Sequence, residues 1–135
     1  MTALAEALCR LKGVRFMRDP TRGGVATVAN EIARASGLDV RLSEDRLPVR
    51  DAVRSVCEIL GFDPYYLASE GGIVAVVAPE TAAAALASWQ LLDGGREAVI
   101  CGHLAQGIGR VVLETSAGGE RILEELEDDP LPRIC

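Results

Sequence analysis

The chain has 135 residues, of which 49% are hydrophobic and 25% are charged, and its formal net charge is -6. This length and composition suit one globular domain that buries a sizeable core. The acidic balance, without a basic cluster among aromatic residues, excludes a nucleic-acid surface, and the longest apolar run, over 72–78, is too short to span a membrane.

Helix and strand signals alternate through the first part of the chain. Leucines at helical spacing predict a helix over 2–12, followed by a short strand over 14–17. A second helix is predicted to start at once, because Asp19 can serve as its N-cap and Pro20 suits the first helical position. Gly37 is expected to end that helix.

The middle of the chain continues this alternation. We predict a strand over 40–43, a helix over 50–60, and a turn over 63–66 that leads into a short extended piece. The side chains expected to face inward from the helix are Val53, Val56, Cys57 and Leu60.

In the last part of the chain, the residue pattern predicts a strand, a helix and three further strands. The strand covers 73–78, the helix about 80–92, and the next strand 98–104. Segments 110–115 and 121–123 are predicted to form a hairpin around two glycines. The fold class is therefore a mixed α/β (α+β) layered domain over 1–123, followed by a flexible, extended tail over 124–135.

The cysteines are far apart and form no C-x-x-C pair, which argues against a zinc site or a disulfide framework. Cys9, Cys57 and Cys101 lie in apolar patterns and are interpreted as core residues. The single histidine, His103, is interpreted as a solvated or satisfied strand-end residue. No metal site is predicted, and the absence of a signal-peptide pattern indicates a cytoplasmic protein.

Segment 17–24, Met-Arg-Asp-Pro-Thr-Arg-Gly-Gly, leads from a predicted strand into a predicted helix. Free N–H groups at a helix N-terminus attract anions, glycines permit close backbone approach, and Arg18 or Arg22 can add charge-assisted hydrogen bonds. The segment thus predicts a phosphate site, although it is not a Walker motif. A capped helix whose glycines pack tightly on the sheet explains it equally well.

Glu70 is the one acid in the stretch 68–72, just before a predicted buried strand. We expect this carboxylate to be partly desolvated, because desolvation makes a carboxylate a better base near neutral pH. The alternative is a solvated glutamate in a surface turn. Asp63, before Pro64, is interpreted as a turn former.

The chain ends at Cys135, after two prolines and a run of acids. The prolines resist helix formation and the acids keep the segment hydrated, so we expect an extended arm. Negative charge nearby disfavours the thiolate, and activation of the thiol must come from elsewhere. An inert terminal thiol is the alternative.

Five motifs occur together along the chain. They are the octapeptide at 17–24, Asn-Glu-Ile-Ala at 30–33, Cys-Glu-Ile-Leu-Gly-Phe-Asp-Pro at 57–64, Ser-Glu-Gly at 69–71 and Leu-Pro-Arg-Ile-Cys at 131–135. In combination they resemble the carboxy-terminal half of the HypE family of hydrogenase maturation proteins. The resemblance covers essentially the whole chain, and its most specific motif is the Pro-Arg-Ile-Cys terminus.

The resemblance implies the superfamily of aminoimidazole ribonucleotide synthetase and selenophosphate synthetase, with a layered, partly ferredoxin-like α/β fold. It implies a family that makes cyanide ligands for the iron of nickel-iron hydrogenases. The terminal cysteine would receive a carbamoyl group from the carbamoyltransferase HypF, and ATP would phosphorylate the carbamoyl oxygen. Loss of phosphate would leave a thiocyanate, and the cyano group would pass to iron on the HypC and HypD complex.

Residue by residue, the resemblance implies that Cys135 is the carbamoyl acceptor. Glu70 would remove a proton from the thiocarboxamide nitrogen, and Arg133 would help to dock the tail. The residues implied to face the phosphates or the reacting arm are Asp19, Thr21, Arg22, Gly23 and Gly24.

The family binds ATP and Mg²⁺, and forms a homodimer, mainly through an amino-terminal domain that is absent from this sequence. We therefore expect the 135 residues alone to be inactive. Ser69 replaces the usual asparagine and Gly72 a frequent lysine, which changes the polarity expected around Glu70.

Two other functions remain open. A non-catalytic interaction module that docks its tail into maturation partners would keep its binding after Cys135→Ser and lose it when 130–135 are deleted. An enzyme of the selenophosphate synthetase type would work without the terminal cysteine.

Overall fold

The computed structural model describes residues 2–126 and shows an α/β domain with two sheets. The helices are α1 (Thr2–Cys9), α2 (Gly24–Ser36), α3 (Asp51–Leu60) and α4 (Pro79–Gln90). The strands are β1 (Val14–Arg18), β2 (Asp39–Ser43), β3 (Val74–Val77), β4 (Gly102–Ala105), β5 (Val111–Glu114) and β6 (Glu120–Ile122). Short 3-10 turns cover Glu44–Arg46, Pro64–Tyr66 and Asp93–Gly95.

The two sheets differ in size and pairing. Strands β1 and β3 form an antiparallel ribbon in which Arg18 pairs with Val74. The larger sheet has the order β4-β2-β5-β6, with β2 antiparallel to β4 and parallel to β5, and with β5 and β6 antiparallel. Because antiparallel pairing sets the end of one strand beside the start of the other, the loop after β1 and the loop before β3 leave the ribbon at the same end.

The main core lies between α2 and the larger sheet. Apolar residues three and four apart in α2 form one face of the helix, and its small alanines permit close packing on the strands. The buried residues of this interface are Ala26, Val28, Ala29, Ile32 and Ala33 from α2 and Val40, Leu42, Val111, Leu113 and Leu123 from the sheet side. Burial of each larger side chain contributes about 1.5–3 kcal/mol, so this interface is the principal source of stability.

A second contact joins α1 to α4. Leu4 and Leu8 are buried on α1, and the Trp89 indole Nε1 donates a hydrogen bond of 2.8 Å to the Leu4 carbonyl oxygen. The main chain of Ala78, at the start of α4, donates to the Gly13 carbonyl oxygen over 2.8 Å. The two helices are thereby fastened to the β1–β3 ribbon.

The predicted mixed α/β class, the four predicted helices and the hairpin of β5 and β6 are confirmed. The predicted start of the second helix is wrong: α2 begins at Gly24, with Gly23 as its N-cap, so Asp19 and Pro20 lie in the preceding loop. Gly23 and Gly24 have φ values of 64° and 62°, a left-handed conformation that cannot belong to a right-handed helix running from Pro20.

Of two further element predictions, one is confirmed and one needs correction. The turn predicted over 63–66 is the 3-10 turn Pro64–Tyr66, and Leu67 after it has an extended backbone. The strand predicted over 98–104 is β4, which begins only at Gly102. Just before it, the Cys101 carbonyl oxygen accepts from the Ser43 backbone N–H of β2 over 2.9 Å, and the rest of the predicted strand is not part of the sheet.

The inward face predicted for α3 is mostly exposed to solvent. Cys57 is buried, but Val56 is 54% exposed and Leu60 is 59% exposed. Val53 is also exposed, so three of the four predicted core positions on this helix are wrong. The described part of the chain covers α3 chiefly through contact with the turn Pro64–Tyr66.

The cysteine predictions have mixed outcomes. Cys57 is buried, Cys101 is partly buried, and Cys9 is exposed, which corrects its assignment to the core. Burial raises the pKa of the Cys101 thiol. His103 is exposed on β4, as predicted. Within residues 2–126, no helix has the length and apolar character that crossing a membrane requires.

Candidate functional site

The two loops singled out from the sequence meet in the structure. The loop between β1 and α2 and the loop before β3 leave the same end of the ribbon, where the Ser69 backbone N–H donates to the Pro20 carbonyl oxygen over 3.0 Å. Gly72 also lies against Pro20, and a Cβ at Gly72 would be 3.6 Å from the proline Cγ. Chain segments about 50 residues apart therefore share one surface.

Two glycines at the start of α2 lie in tight surroundings, and Gly24 is the one that permits the approach of the second loop. A Cβ at Gly24 would lie 2.4 Å from the Tyr65 carbonyl oxygen and 2.6 Å from that of Leu67, which is closer than real atoms approach. A Cβ at Gly23 would lie 2.0 Å from the Thr27 hydroxyl oxygen. The N-terminus of α2 therefore rests directly on the backbone that leads to Glu70.

Polar side chains of the β1–α2 loop are already paired within the domain. The Thr21 hydroxyl donates to the Asp19 carboxylate, and this bond, the Asp19 backbone N–H and the charge of Arg18 hold the pKa of Asp19 below its usual range. Arg18 forms an ion pair with Glu31 on α2. Arg22 is exposed and forms no ion pair with residues 2–126, so it is the arginine of the motif that is available to an anion.

Glu70 lies at the exposed turn between Ser69 and Gly71. The expected partial desolvation of its carboxylate is wrong for residues 2–126, since the side chain projects from a solvent-exposed segment. The turn lies between Leu67 and β3, and the Ser69 N–H bond to Pro20 joins it to the first loop. Asp63 is the predicted turn former: its carboxylate accepts from the Tyr65 N–H over 3.1 Å and pairs with Arg121 over 2.6 Å.

The segment that follows β6 runs beside this surface. Leu123 is fully buried, its N–H donates to the Val111 carbonyl oxygen over 3.0 Å, and its own carbonyl oxygen accepts from the Asn30 side-chain amide over 2.9 Å. The Tyr66 hydroxyl donates to the Glu124 carbonyl oxygen over 2.6 Å. The chain therefore leaves the domain next to the turn that precedes Ser69.

Some of these contacts were missed by sequence reasoning. Asn30 belongs to a recognised motif, yet only the structure shows that its amide joins α2 to the segment after β6. A polar amide next to the apolar face of a predicted helix is the signal that could have suggested a buried hydrogen bond. The roles of Glu31 and Tyr66 depend on contacts across the fold and have no local signal.

The other candidate positions fall outside this arrangement. Cys135 and Arg133 lie outside the described residues. Residues 2–126 bring no three His, Cys, Asp or Glu side chains close enough to hold a metal ion. A cavity of about 340 Å³ beside α3 is lined by the Arg121 and Asp63 pair and contains none of the predicted site residues.

The fold and the loop motifs define the class of protein. Residues 1–115 match the family model described as AIR synthase related protein, C-terminal domain. The chain belongs to this family.

Several of the similar proteins are carbamoyl dehydratases. The chain is 47% identical over 125 residues to carbamoyl dehydratase HypE of Bradyrhizobium diazoefficiens, covering 92% of the chain and 36% of that protein. It is 42% identical over 133 residues to carbamoyl dehydratase HypE of Azotobacter vinelandii, covering 98% of the chain and 39% of that protein. The predicted resemblance to HypE is confirmed, and the chain spans less than two fifths of the length of these relatives.

Solved structures give the same result for the fold. A crystal structure of hydrogenase maturation protein HypE superposes with a TM-score of 0.91 at 41% identity, over 98% of this chain and 44% of that chain. A crystal structure of HypE in complex with ATP has a TM-score of 0.86 at 40% identity, over 94% and 40% of the two chains. A HypE-HypF complex has a TM-score of 0.83 at 36% identity, over 90% and 39%.

Proposed function

We propose that this chain is the part of an ATP-dependent carbamoyl dehydratase that carries the acceptor thiol and the catalytic base. One observation carries the proposal: the loop after β1, the Ser69–Gly71 turn and the segment after β6 lie on one surface. Nine residues, 127–135, follow that segment, and a chain of nine residues spans at most about 30 Å. We propose that this length of chain brings the Cys135 thiol to Glu70.

The first step is attachment of the carbamoyl group. The Cys135 sulfur attacks the carbonyl carbon of an activated carbamoyl donor, a new S–C bond forms, and the donor's leaving group departs with its electron pair. The thiol proton goes to a base. The product is a thiocarbamate, with an S–C(=O)–NH₂ group at the end of the chain.

The second step removes the elements of water. The carbamoyl oxygen attacks the γ-phosphorus of ATP, ADP leaves, and one N–H proton is lost, which gives an O-phosphorylated imine. The Glu70 carboxylate then takes the second N–H proton while the C–O bond breaks and phosphate leaves. The balance is thiocarbamate and ATP to thiocyanate, ADP, phosphate and one proton.

The geometry supports these roles for the two loops. A proton on an amide nitrogen is difficult to remove until the oxygen has become a phosphate leaving group, so the base and the nucleotide must converge on the arm. Glu70 lies in the exposed turn next to Ser69, whose backbone N–H donates to the Pro20 carbonyl oxygen. Arg22 lies two residues before Gly24, where α2 begins against the backbone of Tyr65 and Leu67. Exclusion of water by the docked arm would then strengthen the carboxylate as a base.

The phosphates would lie at the start of α2. The first N–H groups of a helix have no partner within it, and they favour negative charge. Thr21, Gly23 and Gly24 would contribute main-chain N–H donors, and Asp19 would orient Thr21 through the hydrogen bond between them. Arg22 would supply the positive charge that Arg18, paired with Glu31, does not.

The cofactor and partners are proposed from the relatives. The HypE structure with ATP supports nucleotide binding, and we propose Mg²⁺ as the counter-ion of that nucleotide. The HypE-HypF complex supports a HypF-type carbamoyltransferase as the donor. We further propose a homodimeric, cytoplasmic protein that delivers its cyano group to iron on a HypC and HypD scaffold.

The experiment uses the full-length gene product, the carbamoyltransferase, carbamoyl phosphate and ATP. Mass spectrometry of the C-terminal peptide should show first a carbamoyl adduct on Cys135 and then the loss of one water. Cys135→Ser should show neither product. Cys9→Ser, which removes an exposed thiol on α1, is the matched control and should behave as wild type.

A second variant separates the two steps. Glu70→Gln should accumulate the carbamoyl adduct without conversion to thiocyanate, because only the base is lost. Glu97→Gln, another exposed glutamate, should convert normally. A wild-type conversion rate in Glu70→Gln would remove that residue from the mechanism, and binding to partners without any adduct on Cys135 would favour the interaction module.

A further inference from the structure

We propose that Asn30, Arg34 and Tyr66 are positioning residues that fix the point from which the cysteine-bearing arm leaves the domain. This inference rests on the proposed function. The Asn30 amide holds the Leu123 carbonyl oxygen at 2.9 Å, and the Tyr66 hydroxyl holds the Glu124 carbonyl oxygen at 2.6 Å. Arg34 pairs with the Glu125 carboxylate at 2.6 Å, and these three side chains are named the arm clamp.

The arm clamp holds residues whose position the hydrophobic core does not determine. Strand β6 ends at Ile122, and Leu123 is already secured by burial and by its bond to Val111. Glu124 and Glu125 are exposed, and chain ends that lie in solvent ordinarily fray. Two side chains from different elements nevertheless hold these two residues in succession, which extends the fixed part of the chain toward the arm.

The arm clamp also lies close to both loops of the candidate site. Asn30 follows the first residue of α2 by six positions, which is about 9 Å along the helix axis. Tyr66 precedes Ser69 by three residues on the backbone that supports Gly24. Because the effective concentration of a tethered group depends on where its tether begins, a clamp beside both loops would favour delivery of the arm to them.

Release of the clamp would change both the length and the origin of the arm. Freeing residues 124–126 would lengthen the chain between the last fixed residue and Cys135 by three residues, and a longer tether lowers the effective concentration. The point at which the arm leaves the domain would also move away from the loops at 17–24 and 69–71. We therefore expect release to slow the dehydration step roughly three- to tenfold.

The test measures two steps in the full-length gene product carrying Tyr66→Phe and Arg34→Gln. The protein is loaded on Cys135, and a single turnover from thiocarbamate to thiocyanate is followed after ATP addition. That rate should fall, while loading by the transferase should be unchanged, because loading requires the arm to reach outward. General damage to the fold would lower both rates.

Matched controls and a direct readout separate positioning from structure. The control protein carries Tyr65→Phe and Arg96→Gln, which remove a neighbouring hydroxyl and an exposed ion pair that do not touch 123–125. It should convert at the wild-type rate. In NMR relaxation experiments, the amides of Glu124 and Glu125 should be as rigid as those of β6 in wild type and should gain motion in the clamp variant only.

The outcomes distinguish the two proposals. If the clamp variant converts at the wild-type rate, or its 124–125 amides stay rigid, the clamp inference is overturned. If Cys135→Ser retains full turnover, the proposed function itself fails, whereas the NMR result still decides whether the clamp holds the segment. If the double variant does not fold, Arg34→Gln is tested alone. The Arg34 side chain is 62% exposed, so its replacement should leave the fold intact.

Discussion

Helices α2 and α3 carry similar amphipathic patterns but have different environments. The apolar face of α2 is buried, with Ile32 only 6% exposed, whereas Ile59 on α3 is 82% exposed. Helix α2 lies between the larger sheet and the turn Pro64–Tyr66, while α3 contacts that turn alone among its main neighbours in the described chain. Apolar periodicity therefore predicts that a helix has two unlike faces, but the surrounding fold decides whether the apolar face is covered.

The largest effect is expected where α2 meets the backbone of the second loop. Gly24→Val places a β-branched side chain at a φ of 62° and against the carbonyl oxygens of Tyr65 and Leu67. Left-handed strain and overpacking together should lower the free energy of unfolding by about 3–5 kcal/mol, measured by urea denaturation.

The control for this substitution lies at the other end of the same helix. Gly37 also has a positive φ, of 70°, but nothing lies within 4 Å of a Cβ built there. Gly37→Ala should therefore cost only the conformational penalty of about 1 kcal/mol. Equal losses for the two variants would mean that the contact with Tyr65 and Leu67 does not constrain Gly24.

The second prediction compares the two helices directly. Ile32→Ala removes buried methyl groups and should lower the free energy of unfolding by about 2–5 kcal/mol, because a cavity forms between α2 and the sheet. Ile59→Ala should change it by less than about 0.5 kcal/mol, because solvent already surrounds the side chain. Both are measured by urea denaturation, and a large loss in Ile59→Ala would show that the exposed face of α3 is covered in solution.

This comparison indicates how far the sequence predicts the fold. Local signals were sufficient for the helices, the hairpin and the buried face of α2, because capping, turn chemistry and periodicity act over a few residues. The parallel pairing of β2 with β5 and the exposure of Val56 and Leu60 depend on contacts across the whole domain. Such contacts leave no pattern in a single short segment.

The candidate site follows the same division. The motifs at 17–24 and 69–71 were recognisable from their residues, and their placement on one surface could be expected only once β1 and β3 were known to pair. The start of α2 was mispredicted because Asp19 and Pro20 form a strong local N-terminal signal. The helix begins at Gly24 instead, because Gly24 packs against the backbone at 65–67 at a distance that only glycine permits.

The third prediction concerns Asp39, the first residue of β2. Asp39 is buried, and the backbone N–H groups of Arg110 and then Ile108 hold the pKa of its carboxyl below the usual range. A lowered pKa in the folded state stabilises the fold above the unfolded value of about 3.9, and this stabilisation is lost as the pH falls through the folded value. Wild type should therefore lose stability below about pH 4, whereas Asp39→Asn should be less stable at pH 7 and should depend less on pH.

Urea denaturation between pH 7 and pH 2.5 measures this difference. Asp93→Asn is the matched control, because Asp93 is 95% exposed and forms only an exposed pair with Arg96. It should follow the wild-type curve at every pH. Parallel curves for wild type and Asp39→Asn would show that the hydrogen bonds from Ile108 and Arg110 do not favour the charged carboxylate.

The smallest effect is expected on the solvent face of α2. Arg34 and Glu125 are 62% and 45% exposed, and exposed ion pairs contribute about 0.2–1 kcal/mol, less as salt rises. Arg34→Gln should therefore lower the free energy of unfolding by no more than about 0.5 kcal/mol, and a double-mutant cycle with Glu125→Gln measures the coupling. A small loss for Arg34→Gln beside a large loss for Ile32→Ala would show that α2 stabilises the fold through its buried face. Its exposed face would then act mainly by holding the segment that follows β6. A coupling above 1 kcal/mol would instead make the ion pair part of the structural core of the domain.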